Sequence, residues 1–267
     1  MQPSGVITIT TDFGHKGPFA AVMKGVILGR FRDAQIIDLA HDIPAQWPPE
    51  AGFWVSRSYQ WFPKGTVHLA IVDPGVGTER DILLAECDGH VFMAPDNGLL
   101  AQLFDGCAEP RVYKLDNSKL DSLTLPLPSA TFHGRDIFAP IAAELAAGRI
   151  SIQHMGTETN EWTPGWIDEP DVTQGKITGL IVTMDTFGNL ISNIDASLIQ
   201  DFEEPVANIA GHQIAMRTTY GRAKPGDYLA LVNSFGVIEI AKSEGSAADG
   251  LGTARGAPLV IREGYTT

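Results

Sequence analysis

The stretch TVHLAIVDPGVGTER, Thr66 to Arg80, decides how this chain folds. Its first half is a short apolar, β-branched run, the composition of a buried strand. It stops at Asp73-Pro74-Gly75, a turn signal, and leaves Asp73 and Arg80 beyond the strand's C-terminal end. Other runs end the same way: VITITT before Asp12-Phe13-Gly14, AQIIDLAH at His41-Asp42, HVFMAPD at Asp96-Asn97-Gly98. Between them, PFAAVMKGVILGRF and PEAGFWVSRSYQWF carry apolar residues at helical spacing. Strands alternating with helices predict a largely parallel sheet covered by helices. The polar residues that end its strands then gather along one edge, where such sheets bind ligands.

Downstream, FAPIAAELAAGRI reads as a helix closing near Gly148, and residues 156–175 are rich in Pro, Gly and acidic residues without a period. Beyond Gly175 the texture changes to short strands with frequent turns: KITGLIVTMDTFGNLISNI, PVANIAGHQIAMRTTY, DYLALVNSFGVIEIAKS, APLVIREG. The expected organisation is an N-terminal α/β sandwich domain (1–155), a linker (156–175) and a smaller all-β, barrel-like domain (176–267).

The 267 residues carry a formal net charge of −13. That balance argues against nucleic acid or an anionic membrane surface as partner, because phosphate recognition needs clustered Lys and Arg. No apolar run reaches the ~20 residues that span a bilayer, and the first residues lack a basic-then-apolar leader pattern; a cytoplasmic protein is expected. Cys87 and Cys107 fit no metal or redox spacing and read as buried free thiols.

Phosphate chemistry finds little support. A dinucleotide loop starting at Gly75 would need glycine where Arg80 stands, and no Walker lysine pattern occurs. Asp38, His41, Asp42, His68 and Asp96 show no metal-ligand spacing, so no metal is expected. Asp73 can be a turn aspartate, Arg80 a surface arginine and His133 a structural histidine. Together at one sheet edge they could instead form a dry Asp/Arg/His cluster that polarises water. Asp12, ending the first strand, can cap a helix or accept hydrogen bonds from two sugar hydroxyls. Asp185, Phe187 and Asn189, in DTFGNLISN, can be a turn, or an aromatic face beside an amide that reads a purine edge.

The ordered set TTDFG (Thr10 to Gly14), MKGVI, DLAHDIP, VDPGVGTER, APDNGLL, TFHGRDIFAP, DTFGNLISN and NSFGVIEIA resembles the S-adenosylmethionine hydroxide adenosyltransferases, hydrolase relatives of fluorinase and chlorinase. The resemblance spans nearly the whole chain. It implies a homotrimer with each site shared between the N-terminal domain of one subunit and the C-terminal domain of the next. It implies a water-activating triad of Asp73, Arg80 and His133, with Asp12 on the ribose and Phe132 and Gly134 walling the reacting carbon. Asp185, Phe187 and Asn189 would hold the methionine and adenine ends, with Asn233, Ser234 and Glu239 nearby. The substrate is then a small molecule, S-adenosylmethionine, hydrolysed to adenosine and L-methionine without a cofactor. A non-catalytic adenosine- or S-adenosylmethionine-binding protein is the alternative from another class. A halogenase-like displacement is disfavoured, because the halogenases lack the Asp and His of the triad. Gly17 stands where many relatives carry an aspartate that grips the amino acid end, so that grip is expected to be weaker here.

Overall fold

The computed structural model describes residues 2–123 and 127–264, which divide into two compact units meeting at Trp166 and Ile167. The first unit is an α/β sandwich. Its elements run β1 (Val6–Thr11), α1 (Phe19–Arg30), β2 (Gln35–Ala40), α2 (Pro48–Ser58), β3 (Val67–Ile71), β4 (Ile82–Cys87), β5 (His90–Pro95), α3 (Ala101–Asp105), β6 (Arg111–Leu115), α4 (Ala139–Ala146) and β7 (Gly156–Thr159). They build a seven-stranded sheet in the order β2-β1-β3-β5-β4-β6-β7. β2, β1, β3 and β5 are parallel, and β4, β6 and β7 extend the sheet antiparallel.

Alternation along the strands sorts side chains onto two faces. Ile7, Ile9, Leu69 and Ile71 join Met23 and Ile27 of α1 and the wholly buried α4. Ala70, Val72, Leu83 and Ala85 join Ala51 and Val55 of α2 and Leu103 of α3. With both faces covered, β1 is buried along its whole length, so that Thr8, Thr10 and Thr11 lie in the interior with Ile7 and Ile9. α2 opens on Pro48-Pro49, in the first turn, where no backbone N–H is needed.

Residues 156–175, expected to be a linker, contain two paired strands. Gly156–Thr159 is β7, the edge of the first sheet, and Asp171–Thr173 is β8, which pairs with β9 (Lys176–Met184). Both are short and mostly exposed, so they carry no apolar period to mark them. The second unit is mainly β: β9, β10 (Leu190–Asp195), β11 (Pro205–Ile209), β12 (His212–Ala215), β13 (Tyr228–Val232), β14 (Val237–Lys242) and β15 (Pro258–Glu263), with a short α-helix at Ala247–Leu251. They follow the order β12-β11-β15-β9-β10-β14-β13, and a bridge between Met216 and Ala230 brings β13 back to the end of β12. A nearly closed barrel results, filled by Ile177, Ile181, Leu190, Ile240, Leu259 and Ile261.

The cysteines are not free. Cys87 ends β4 and Cys107 follows α3, with their Cα atoms 6.1 Å apart and the sulfurs joined as a disulfide. That separation lies within disulfide reach, and the fold rather than the spacing creates it. Among the described residues, no helix is long and apolar enough to cross a membrane.

A buried polar chain runs through the first sheet. Thr8 Oγ1 lies 2.8 Å from His68 Nδ1, and His68 Nε2 lies 3.2 Å from His90 Nδ1. The His68 ring stacks on Phe92 with centroids 4.9 Å apart. Burial, then the neighbouring His90, push the His68 pKa from 6.5 down to about 3. The unfolded chain therefore binds a proton on this ring at a higher pH than the folded protein does. Stability from the neutral ring is complete above the unfolded value and is lost as pH falls towards the folded one. We expect urea unfolding to show a loss of roughly 2–3 kcal/mol between pH 7 and about pH 4.5 from this residue. His68→Gln should remove that part of the slope; an unchanged slope would refute the assignment.

Candidate active site

Parallel pairing sets where the polar strand ends emerge. Thr11 is in register with Ile71, and Thr10 with Ala40. Asp12, His41 and Asp73 consequently leave the C-terminal ends of three neighbouring strands. The chain passes from β1 to β2 on one side and then crosses to β3 on the other, so the strand order reverses at β1/β3. A crevice at such a reversal is where open α/β sheets bind ligands. Asp12 and Asp73 stand on its two lips.

Beyond Asp73 the turn through Gly75 and Gly77 sends Arg80 back onto the carboxylate. Gly77 has φ +79°, and a Cβ there would meet the Ala130 carbonyl oxygen at 2.2 Å. Glycine thus lets the 74–80 loop touch the backbone that leads into His133. Arg80 Nε donates to both Asp73 carboxylate oxygens at 3.0 Å, and its Nη2 also donates to Oδ2. The same Nη2 donates to His133 Nδ1 at 3.1 Å. Only 5% of the Asp73 side chain and 12% of Arg80's is exposed, so the pairing is shielded from solvent. The guanidinium lies over the Phe138 ring, and Arg80 and His133 form part of the wall of a cavity of about 370 Å³.

This geometry assigns the imidazole's proton. Arginine does not deprotonate in proteins, so it is the donor and Nδ1 must hold a lone pair; a neutral ring then carries its hydrogen on Nε2. Burial, followed by the Arg80 charge, holds the His133 pKa below the ordinary imidazole value, against the opposite pull of Asp73 and Asp136.

His133 sits at the mouth of a widened helical turn. Gly134–Phe138 is π-helical, and the Ala139 N–H reaches back to the Gly134 carbonyl before α4 begins. Such turns recur at functional sites. Arg135 Nε and Nη2 donate to the two oxygens of Asp136, which also accepts from the Ser129 N–H. That pair fastens the loop. Gly134 is buried, with a built Cβ 3.1 Å from Met23 Sδ and 3.3 Å from the Phe132 ring. The Phe13, Phe19 and Phe132 rings pack together with centroids 5.5–6.0 Å apart. This apolar contact sets the residue after Asp12 against the residue before His133.

On the other lip, Asp12 Oδ2 accepts the Gln46 N–H at 2.9 Å, a residue with φ +61°. Sequence reasoning did not single out Gln46, because its contribution is a backbone donor in an unusual conformation. It did not single out Thr11 either, which looks like an ordinary strand residue.

In the barrel unit, Asp185 accepts from the Phe187 and Asn189 N–H groups and from Asn189 Nδ2, all within 2.9 Å. The turn reading of DTFGN is therefore present in the structure, and it leaves the Phe187 ring exposed. Asn233 Oδ1 accepts from the Phe235 N–H, and its Nδ2 donates to Glu239 Oε2 at 3.2 Å. Glu239 is buried and accepts the Tyr220 hydroxyl at 2.6 Å. Burial raises its pKa, opposed by those two hydrogen bonds. Ser234 is exposed in the adjoining turn. Tyr220, absent from the residues marked by sequence, joins this cluster. The residues expected to bind substrate thus fall into two groups, one in each unit.

Comparison with known proteins adds to this geometry. Residues 7–156 match the family model described as SAM hydroxide adenosyltransferase N-terminal domain, and residues 179–260 match that of the C-terminal domain. The chain is 35% identical to a protein of Thermus thermophilus named (R)-S-adenosyl-L-methionine hydrolase, over 93% of this chain and 96% of that protein. It is 35% identical to one of the same name from Salinispora tropica, over 99% and 100%. A crystal structure of an uncharacterized conserved protein from Thermotoga maritima superposes with TM-score 0.88 at 31% identity, covering 96% of this chain and all of that one.

The Arg80–His133 contact has a titration consequence. Protonating Nδ1 removes the acceptor for Arg80, so the arrangement is intact above the lowered His133 pKa and is lost as pH falls through it. Asp73→Asn removes a charge that favours the protonated ring. We therefore expect NMR titration to place the His133 midpoint below 6.5, and lower still in Asp73→Asn. A midpoint that rises in that variant would overturn this account of Asp73's charge acting on the ring.

Proposed function

The chain belongs to the SAM hydroxide adenosyltransferase family, and we infer that it hydrolyses S-adenosyl-L-methionine to adenosine and L-methionine. The observation that carries this reading is the shielded Asp73–Arg80–His133 chain at the strand-order reversal. Water attacks ribose C5′, a C–O bond forms, and the C5′–S bond breaks with its electron pair going to sulfur. The sulfonium becomes a neutral thioether, so the leaving group needs neither a general acid nor a Lewis acid. We propose that the reaction uses no metal or organic cofactor.

What the protein supplies is orientation and partial desolvation of a weak nucleophile. Asp73 anchors Arg80, and Arg80 stabilises charge developing on the attacking oxygen. As the C–O bond forms, that oxygen becomes strongly acidic, so a weak base suffices to take its proton. His133, with its lowered pKa, is such a base. Proton uptake at Nδ1 releases Nη2 of Arg80, which couples the proton transfer to the guanidinium. Asp12 binds the ribose hydroxyls, and Phe132 and Gly134 wall C5′. Asp185, Phe187, Asn189, Asn233, Ser234 and Glu239 serve the methionine and adenine ends, through the fixed turn of Asp185 and the Glu239 cluster.

The proposal includes a cytoplasmic homotrimer whose sites combine the two groups of residues from different subunits. It is supported by their division between two compact units. Chromatography of products formed with and without chelator and chloride tests the reaction. Adenosine and methionine are expected under every condition; a chlorinated nucleoside, or turnover restored only by added metal, would refute it. Light scattering of an active preparation is expected to give three subunits, and full activity in a monomer would refute sharing.

His133→Ala and Asp73→Asn should each lower kcat by about 10²–10⁴-fold, the usual worth of general-base assistance, while leaving adenosine binding intact. Asp12→Ala should instead weaken adenosine binding by roughly 1.5–3 kcal/mol, the worth of a hydrogen bond to a charged group. Calorimetry and steady-state rates on the same preparations separate the two roles.

A further inference from the structure

His41 is the middle residue of the motif DLAHDIP (Asp38 to Pro44), and none of the chemistry above uses it. It is 2% exposed. His41 Nε2 lies 2.9 Å from Asp38 Oδ1, and Lys24 of α1 donates to Asp38 Oδ2 at 2.6 Å. Burial works against ionisation of Asp38, and the hydrogen bonds from Lys24 and His41 outweigh it, so the carboxyl sits below its ordinary range. On the other side of the ring, Nδ1 lies 2.8 Å from the hydroxyl of Thr11, which is fully buried at the end of β1. Thr11 Oγ1 in turn accepts the Phe13 N–H at 3.2 Å.

Directions follow from the donor inventory. Asp38 accepts, so Nε2 carries hydrogen; with one proton on the ring, Nδ1 accepts from the Thr11 hydroxyl, whose oxygen accepts from Phe13. The backbone closes the circuit. The His41 carbonyl accepts the Gly14 N–H at 2.8 Å, where Gly14 has φ +62°. One buried residue therefore holds the turn on both sides of Asp12: its ring holds Thr11, whose hydroxyl oxygen accepts the Phe13 N–H, and its backbone carbonyl accepts the Gly14 N–H. Gln46 holds Asp12 Oδ2.

We propose that His41 is a positioning residue for substrate, and that the relay Lys24–Asp38–His41–Thr11 fixes the 12–14 turn so that the Asp12 carboxylate meets the two ribose hydroxyls. This rests on the reading of Asp12 as the ribose ligand. Among the described residues, none of the four relay side chains hydrogen-bonds Asp73, Arg80 or His133, so the relay acts on binding and not on water.

The test uses Thr11→Val, which keeps the shape and the β-branch of threonine and deletes only the hydroxyl. Calorimetry would measure the affinities for adenosine and for 2′,3′-dideoxyadenosine, beside KM and kcat for S-adenosylmethionine. Thr11→Val is expected to weaken adenosine about 5- to 10-fold, the effect of a lost hydrogen bond. KM should rise by a similar factor with kcat unchanged, and affinity for the dideoxy compound, which offers Asp12 nothing, should stay the same. Thr11→Ser should restore adenosine affinity. Asp38→Asn, on a partly exposed side chain, provides a second route and should weaken adenosine in the same direction. Equal losses for both nucleosides in Thr11→Val would show a merely structural threonine and overturn the proposal. Wild-type affinity in Thr11→Val and Asp38→Asn, with adenosine lost in Asp12→Ala, would overturn it while sparing the ribose reading. Normal adenosine affinity in Asp12→Ala would overturn both.

Discussion

Everything at the site depends on β1 being hydrogen-bonded on both edges in parallel, to β2 on one side and to β3 on the other. Parallel pairing makes the three strands point their C-terminal ends the same way. Crossovers to opposite sides of β1 keep loops from covering the gap between its end and that of β3. Asp12 and Asp73, 61 residues apart in the sequence, are in this way delivered to neighbouring positions by backbone hydrogen bonds alone. The side-chain contacts then refine a placement already made by the ladder.

Much of this is legible in the sequence. TVHLAIVDPG announces a buried strand ending in an acidic turn, and the repeat of that pattern at Asp12, His41 and Asp96 announces a polar edge. The partners across that edge are not legible. Arg80 meets His133 only because Gly77 lets its loop touch Ala130, and no spacing rule connects those segments. Thr11 looked like one more β-branched residue, since its hydroxyl gains a role only beside His41. The disulfide is illegible for a similar reason: Cys87 and Cys107 have no motif spacing, and only the fold brings the last residue of β4 beside the segment that follows α3. β7 and β8 are not legible in the sequence, because short exposed edge strands need no apolar alternation.

The barrel unit shows a different balance. DTFGN was read both as a turn and as a ligand segment, and Asp185 spends its carboxylate on the Phe187 and Asn189 amides. What the carboxylate does in the structure is fix the shape of the loop, with the Phe187 ring exposed. Glu239 behaves likewise: buried and accepting from Tyr220 and Asn233, it fixes two side chains that reach further out than it does. Carboxylates that look like ligands in the sequence act here on their own chain.

The π-helical turn at Gly134–Phe138 amounts to one surplus residue accommodated inside a helix. Successive residues of an α-helix are rotated by about 100° around its axis. Deleting one residue within this turn, while α4 kept its buried face, would swing His133 by about that angle away from Arg80. The number of residues in the segment is thus as much a part of the chemistry as their identity. A homologue one residue shorter here would have a different site even with Asp73, Arg80 and His133 all retained, and an alignment that slid a gap through GRDIF would hide the difference.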